Sequence, residues 1–295
     1  MFTDTSQFVS LIKLLNTVAV PYFFILMAIE YAAIQKRAGN TAGILAPIAQ
    51  IKGYELRDSL CSIAMGAFKL MTTALAALLS LPLMQFVYEH RIVDLDISAW
   101  WYLPILIIAD DFFYYWYHRA GHRIAMFWAE HSNHHTSEHY NLSTALRQSL
   151  LGPFYAFIFW LPLPLLGIDP MAFVLAHTIN LLYQYWLHTE VFEVNGWLEK
   201  VLNCPQHHRL HHARNTEYHD CNYGGMLIIW DRMFGSYRDY VPGVPPVYGT
   251  VKPEPSHNPL FQGVAGWLRL IEKMRSLPTI SLRIRCLFSP PGWGP

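Results

Sequence analysis

A chain of 295 residues with 53% hydrophobic and 14% charged residues carries roughly half the charged share of an ordinary soluble domain, which points to a membrane protein. Basic and acidic residues balance at 21 each, and no basic stretch is interleaved with stacking aromatics, so a nucleic-acid binder is excluded. Cys61, Cys204, Cys221 and Cys286 stand at unpaired spacings, which excludes a disulfide framework and suits a reducing compartment.

The first residues lack a basic segment, short apolar core and small-residue cleavage site, so no cleaved signal is expected. Leu11 to Ile34 is the first long apolar run, and at ~1.5 Å per residue it can cross a ~30 Å hydrocarbon core. Lys36, Arg37, Lys52 and Arg57 follow, which places that loop in the cytoplasm and the N-terminus outside. Cys61 to Val87 returns the chain outward, with Lys69 as its only charge. Ala99 to Tyr117 then runs inward, opening on the interfacial aromatics Trp100, Trp101 and Tyr102. Asp110 and Asp111 interrupt it. An ionisable group at membrane depth is costly and points to function.

Where this run ends, five histidines fall within eighteen residues: His118-x-x-x-His122, then His131-x-x-His134-His135. A spacing of four puts His118 and His122 on one helical face, and Asp111 joins that stripe if the helix is continuous. A lone histidine is usually a satisfied core residue, but five at these spacings read as metal ligands. Asp111 is a candidate to receive the free N–H of a metal-bound imidazole, the usual partner being a carboxylate or carbonyl.

Leu142 to Ile168 and Met171 to Leu187 form two further apolar runs separated by Gly167-Ile-Asp169-Pro170, the pattern of a helical hairpin that enters and leaves on one side. Its second arm closes on Gln184-x-x-x-His188. His188 is expected level with the first histidines and Gln184 beside it, whereas His177 would lie about 16 Å deeper and outside the same site. The chain then turns polar and reaches His208-x-x-His211-His212, a repeat of the second cluster. Asn222 to Tyr237 closes a cytoplasmic cap, with His207 and His219 as extra histidines nearby. Val241 to Pro259 is a proline-rich linker, and Gly263 to Leu277 reads as an amphipathic helix, lying either on an anionic membrane surface or on the cap.

Nine neutral imidazoles, from His118, His122, His131, His134, His135, His188, His208, His211 and His212, exceed what one ion can coordinate. Two ions with four or five nitrogens each use them all. Imidazole suits Fe, Zn, Cu or Ni, and no His-Glu-x-x-His helix marks a catalytic zinc. A redox metal at the end of an apolar bundle could act on a lipid tail, which redox-inert zinc could not.

At these histidines the chain resembles the fatty acid hydroxylase and sterol desaturase superfamily of integral-membrane di-iron oxygenases. Asn180 to Glu190 and Asn222 to Gly235 look most like its alkylglycerol monooxygenase branch. The resemblance covers roughly residues 100 to 240. It implies an all-α bundle of four or more spanning helices with a cytosolic helical cap, two Fe ions, O2 as co-substrate, and hydroxylation of a membrane lipid. In the alkylglycerol branch the hydroxylated carbon lies next to an ether oxygen. The external reductant implied is a tetrahydropterin, a ferredoxin or a cytochrome, so an electron-donor partner is expected. Where acyl hydroxylases of the superfamily often carry a further His-x-x-x-His, this chain has Gln184, so only His188 carries over.

The expected division is 1–98 for N-terminal membrane helices, 99–240 for the histidine-rich core and 241–295 for linker and tail. The expected setting is a bacterial inner membrane or the endoplasmic reticulum. Other substrates in view are sterols, fatty acyl chains, carotenoids and amino-lipids. From a different class, a histidine-lined metal transporter or a structural zinc protein would use the same residues.

Overall fold

The structure, a computed structural model, describes residues 4–39, 51–252 and 256–295. The middle of the loop expected in the cytoplasm, 40–50, and residues 253–255 of the proline-rich segment lie outside the described residues. Among the described residues every regular element is a helix, and β-pairing is limited to two isolated bridges, Leu202 with Leu227 and Ala213 with Tyr248.

Two helices, Thr5–Gly39 (α1) and Leu56–Glu89 (α2), are long and apolar enough to cross a membrane. Only 6% and 11% of their most apolar windows are buried in the fold. Leu78 at 76% exposure and Ile25 at 58% therefore face outward along surfaces that only lipid would solvate favourably. This is the opposite of a soluble core helix.

Tyr102–Arg123 (α3) runs unbroken through Asp110, Asp111, His118 and His122. Pro170–Tyr185 (α7) packs against it, running parallel. At one end the Asp169 amide donates to Tyr102 Oη (3.2 Å), and further along His177 and Asn180 meet Asp110. Helix α1 lies parallel to α7, with Thr5 donating to Asp169 (3.0 Å) and Arg37 to the Val191 carbonyl (2.9 Å). Leu106, Trp160, Leu163, Ala172, Leu175 and Ala176 fill the core between them. The alanines at positions four apart let the helices approach closely.

The run from Leu142 to Ile168, expected as one continuous spanning arm, is instead broken. It contains a 3-10 turn at Leu142–Leu146, then Pro153–Ala156 (α5), a second 3-10 turn at Phe157–Trp160, and Pro162–Leu165 (α6). Pro153, Pro162 and Pro164 lack N–H donors and bias the residues before them away from helix. The hairpin survives with a shorter first arm. Its tip is a tight turn at Gly167, whose φ of +91° and contact with the Val93 carbonyl leave no room for a Cβ.

The remaining helices are Ala125–His131 (α4), Leu198–Val201 (α8), Pro205–His211 (α9), Ile229–Met233 (α10), Pro259–Ser276 (α11) and Ile280–Phe288 (α12). The amphipathic helix expected near 263–277 is α11. One face packs so tightly on α4 that a Cβ at Gly266 would lie 2.0 Å from the Ala129 carbonyl, while Leu268 and Ile271 on the other side stay exposed.

Candidate metal centre

The end of α3, the α4 turn, the end of α7 and α9 converge on one place. His118 and His122 lie one helical turn apart on α3, as the spacing of four dictates. His131 closes α4, and His134 and His135 occupy the 3-10 turn Ser132–His135. His188 follows α7. His208 and His211 lie on α9, with His212 at its C-cap.

The nine rings fall into two groups: His118, His122, His131, His135 and His211, and separately His134, His188, His208 and His212. Within each group the candidate ligand nitrogens lie within 4.8 Å of one another. Each His-x-x-His-His cluster is therefore divided. Its outer pair, four residues apart, serves one group and its middle residue the other: His131 and His135 against His134, then His208 and His212 against His211.

Backbone carbonyls fix which nitrogen of several rings carries the proton. His118 Nδ1 donates to Tyr223 O (2.8 Å), His211 Nδ1 to Cys221 O (2.8 Å), His134 Nδ1 to Arg147 O (3.2 Å) and His188 Nδ1 to Gln184 O (3.0 Å). A carbonyl can only accept, so each of these rings turns a bare Nε2 lone pair inward. His134 Nε2 and His188 Nε2 then face each other at 3.1 Å, lone pair to lone pair. His188 and His208 approach to 3.0 Å, and His118 and His131 to 3.0 Å. His122 Nε2 and His211 Nε2 are buried with no hydrogen-bond partner.

The His134–His188 contact, with a bare lone pair on each side, is one that a cation between the two nitrogens would relieve. Burial disfavours a proton there: it pushes His131, His134, His135, His208, His211 and His212 well below the usual imidazole range, and the neighbouring imidazoles push further. Burial likewise takes His188 down to about 4. Metal ions do fit. Two nitrogens bound at ~2.1 Å and roughly at right angles lie about 3.0 Å apart, the spacing found here.

Asp111 behaves differently from the sequence expectation. Its carboxylate touches none of the nine imidazoles. It accepts instead from the amides of Met226 (2.6 Å) and Leu227 (3.0 Å), from Trp230 Nε1 (2.9 Å) and from Asn180 Nδ2 (3.1 Å). The reason is register: Asp111 lies nearly two turns before His118, where the segment after Tyr223 crosses α3. Gln184 acts through its backbone carbonyl on His188, while its side chain donates to Asn180 (2.7 Å).

The other histidines stand apart from both groups. His177 pairs with Asp110 (3.1 Å), His207 accepts from the Cys204 amide (3.3 Å), and exposed His219 meets the Arg214 carbonyl (2.8 Å). Sequence reasoning missed the supports of the four-histidine group. Buried Arg147, whose carbonyl orients His134, is paired with buried Asp58 of α2 (3.1 Å) and donates to Thr136 (2.8 Å). Glu30 of α1 accepts from the Leu142 amide (2.9 Å) and from Thr189, the residue after His188. No local spacing announces partners 89 and 159 residues apart.

The family model described as Fatty acid hydroxylase matches residues 103–236. Alkylglycerol monooxygenase of Homo sapiens is 36% identical over 278 residues, covering 94% of this chain and 59% of that protein. The Danio rerio alkylglycerol monooxygenase is 41% identical over 199 residues, covering 67% and 44%. An ornithine lipid hydroxylase of Rhizobium tropici is 26% identical over 123 residues, covering 41% and 37%. The chain spans between 44% and 59% of the alkylglycerol monooxygenases it matches. No solved structure matches it.

Proposed function

We propose that this chain, whose residues 103–236 match the Fatty acid hydroxylase family model, is a membrane-bound di-iron oxygenase that hydroxylates a C–H bond of a lipid. The observation that carries the reading is the pair of buried histidine groups with inward lone pairs. His118, His122, His131, His135 and His211 would hold one iron, and His134, His188, His208 and His212 the other. Bound iron, with O2 and an external reductant, supplies an oxidant strong enough for an unactivated C–H bond.

The residues of the chain do the remaining work. Carbonyls of Tyr223, Cys221, Arg147 and Gln184 keep the Nδ1 protons of their imidazoles and leave Nε2 free. Packing of α3 against the hairpin excludes water from one flank, where Tyr117, next to His118 in the chain, meets Phe159 edge-on and Trp160 at a tilt. That aromatic flank is suited to an alkyl chain entering from the bilayer.

The substrate favoured is an alkylglycerol, hydroxylated at the carbon bonded to the ether oxygen. One O2, two electrons and two protons give the hydroxylated ether and water, and the resulting hemiacetal breaks its C–O bond to release an aldehyde and a glycerol derivative. Similarity to the alkylglycerol monooxygenases favours this substrate, and similarity to an ornithine lipid hydroxylase keeps amino-lipids as the second choice. The reductant is a tetrahydropterin, a ferredoxin or a cytochrome.

The topology proposed is multi-pass, with four or more spanning segments drawn from α1, α2, α3 and the hairpin. The cap and the metals lie on the cytoplasmic side, where Lys36 and Arg37 end α1. Residues 1–98 would form the membrane entry, 99–240 the oxygenase core and 241–295 the linker and tail. The test is product analysis on purified protein with an alkylglycerol, O2 and a pterin. Aldehyde release supports the ether-cleaving reading, and its absence alongside hydroxylated ornithine lipid replaces it with the second.

A further inference from the structure

We propose that Asp231 and Asp111 act together as a clamp that positions two imidazoles of the five-histidine group. The proposal rests on the di-iron reading above. Both carboxylates are fully buried. Asp231 accepts from the amides of Tyr223 (2.8 Å) and Gly224 (2.7 Å) and from Ser236 Oγ (2.7 Å). Asp111 accepts from the amides of Met226 (2.6 Å) and Leu227 (3.0 Å). Two carboxylates thus take every backbone N–H from Tyr223 to Leu227 except that of Gly225. At Gly225 a Cβ would lie 2.6 Å from Asp111 Oδ1 and 2.9 Å from Asn180 Oδ1, so the backbone is pressed directly onto the clamp.

What the clamp holds in place is the carbonyl of Tyr223 and, through Asn222, that of Cys221. Tyr223 O receives His118 Nδ1 and Cys221 O receives His211 Nδ1, both at 2.8 Å. The backbone around these carbonyls is unusual. Asp220 and Asn222, on either side of Cys221, adopt left-handed φ values of 59° and 54°. Non-glycine residues hold that conformation when surrounding contacts impose it. Here Asn222 is pinned by donation to the carbonyls of His207 (3.1 Å) and Arg238 (2.9 Å), and the Asp231 contacts begin at the next residue.

The four-histidine group takes its carbonyls elsewhere, from Arg147 and Gln184. Asp231 makes no contact with either of these residues, whereas Asp111 also accepts from Asn180, which accepts from the Gln184 side chain, so Asp231 is the half of the clamp that serves the five-histidine group alone.

The experiment is 57Fe loading of the full-length wild type and of Asp231→Asn in detergent, with iron per chain and Mössbauer spectra as readouts. An asparagine keeps the size of the side chain but sets an NH2 against a backbone N–H. The expected result is ~10- to 100-fold weaker binding of one iron, with its spectral component reduced and the other component unchanged. Trp230→Phe, which removes the Nε1 donor to Asp111 Oδ2 (2.9 Å) and trims the ring that meets Phe112 edge-on, should perturb the same component more mildly and decides the matter if Asp231→Asn does not fold. Unchanged affinity and spectra in the variant that folds, or equal loss of both components from a chain with wild-type helicity, would overturn the clamp. A wild type that takes up no pair of irons overturns the di-iron reading, a result distinct from either.

Discussion

His134 and His188 meet through their Nε2 atoms at 3.1 Å while each donates its Nδ1 proton to a backbone carbonyl. The pair comes from the 3-10 turn after α4 and from the end of α7, so folding itself drives two lone pairs together. The cost is offset when a metal ion sits between them.

Single ligands should therefore matter in both groups. His134→Ala and His211→Ala each remove one inward nitrogen and should lower metal content and abolish turnover. His257→Ala, in the linker outside both groups, should do neither. Metal analysis and turnover on the three variants check this.

Acid should destabilise the metal-free protein. Six of these imidazoles have folded pKa values well below their ordinary value of about 6.5, chiefly through burial. Below that value the unfolded chain binds protons that the folded chain refuses, so stability falls as pH drops and is fully present above about 6.5. Thermal unfolding of apo-protein at pH 7.5 and pH 5.5 should show a lower midpoint at pH 5.5. An equal or higher midpoint at pH 5.5 would mean the rings are accessible to protons in the fold.

The Asp58–Arg147 pair should behave as a buried ion pair. Arg147→Met leaves Asp58 uncompensated and should cost about 3–5 kcal/mol. The double variant Asp58→Leu, Arg147→Met should regain much of that loss. Denaturation of the single and double variants separates the charge from the packing.

Gly167→Ala should destabilise the hairpin by at least about 1–3 kcal/mol, because φ is +91° and the new Cβ would meet the Val93 carbonyl. Gly243→Ala, also at positive φ but with open space around it, should cost less. Comparison of their unfolding midpoints tests whether the turn at 167 is set by contact as well as by φ.

The histidines were legible because each carries its own local spacing: four residues on α3, and three then one in both later clusters. Their division into two groups was not, since it depends on where the 3-10 turn after α4 places His134 relative to His131 and His135. Helices α1, α2 and α3 followed from their apolar runs. The first hairpin arm did not, because three prolines break a run whose composition suits a span. Asp111 stands out in the sequence by its depth in an apolar segment, but its partners at Met226 and Leu227 are more than a hundred residues away. Asp231 gave no signal at all, being one acid in a polar cap.

The central claim is tested most directly by metal analysis of the purified full-length protein together with anaerobic reduction and oxygen uptake on a lipid substrate. Two irons per chain, with O2 consumed only after reduction and in step with hydroxylated lipid, is the predicted result. Stoichiometric zinc with no oxygen uptake, or metal flux across a sealed vesicle, would contradict it.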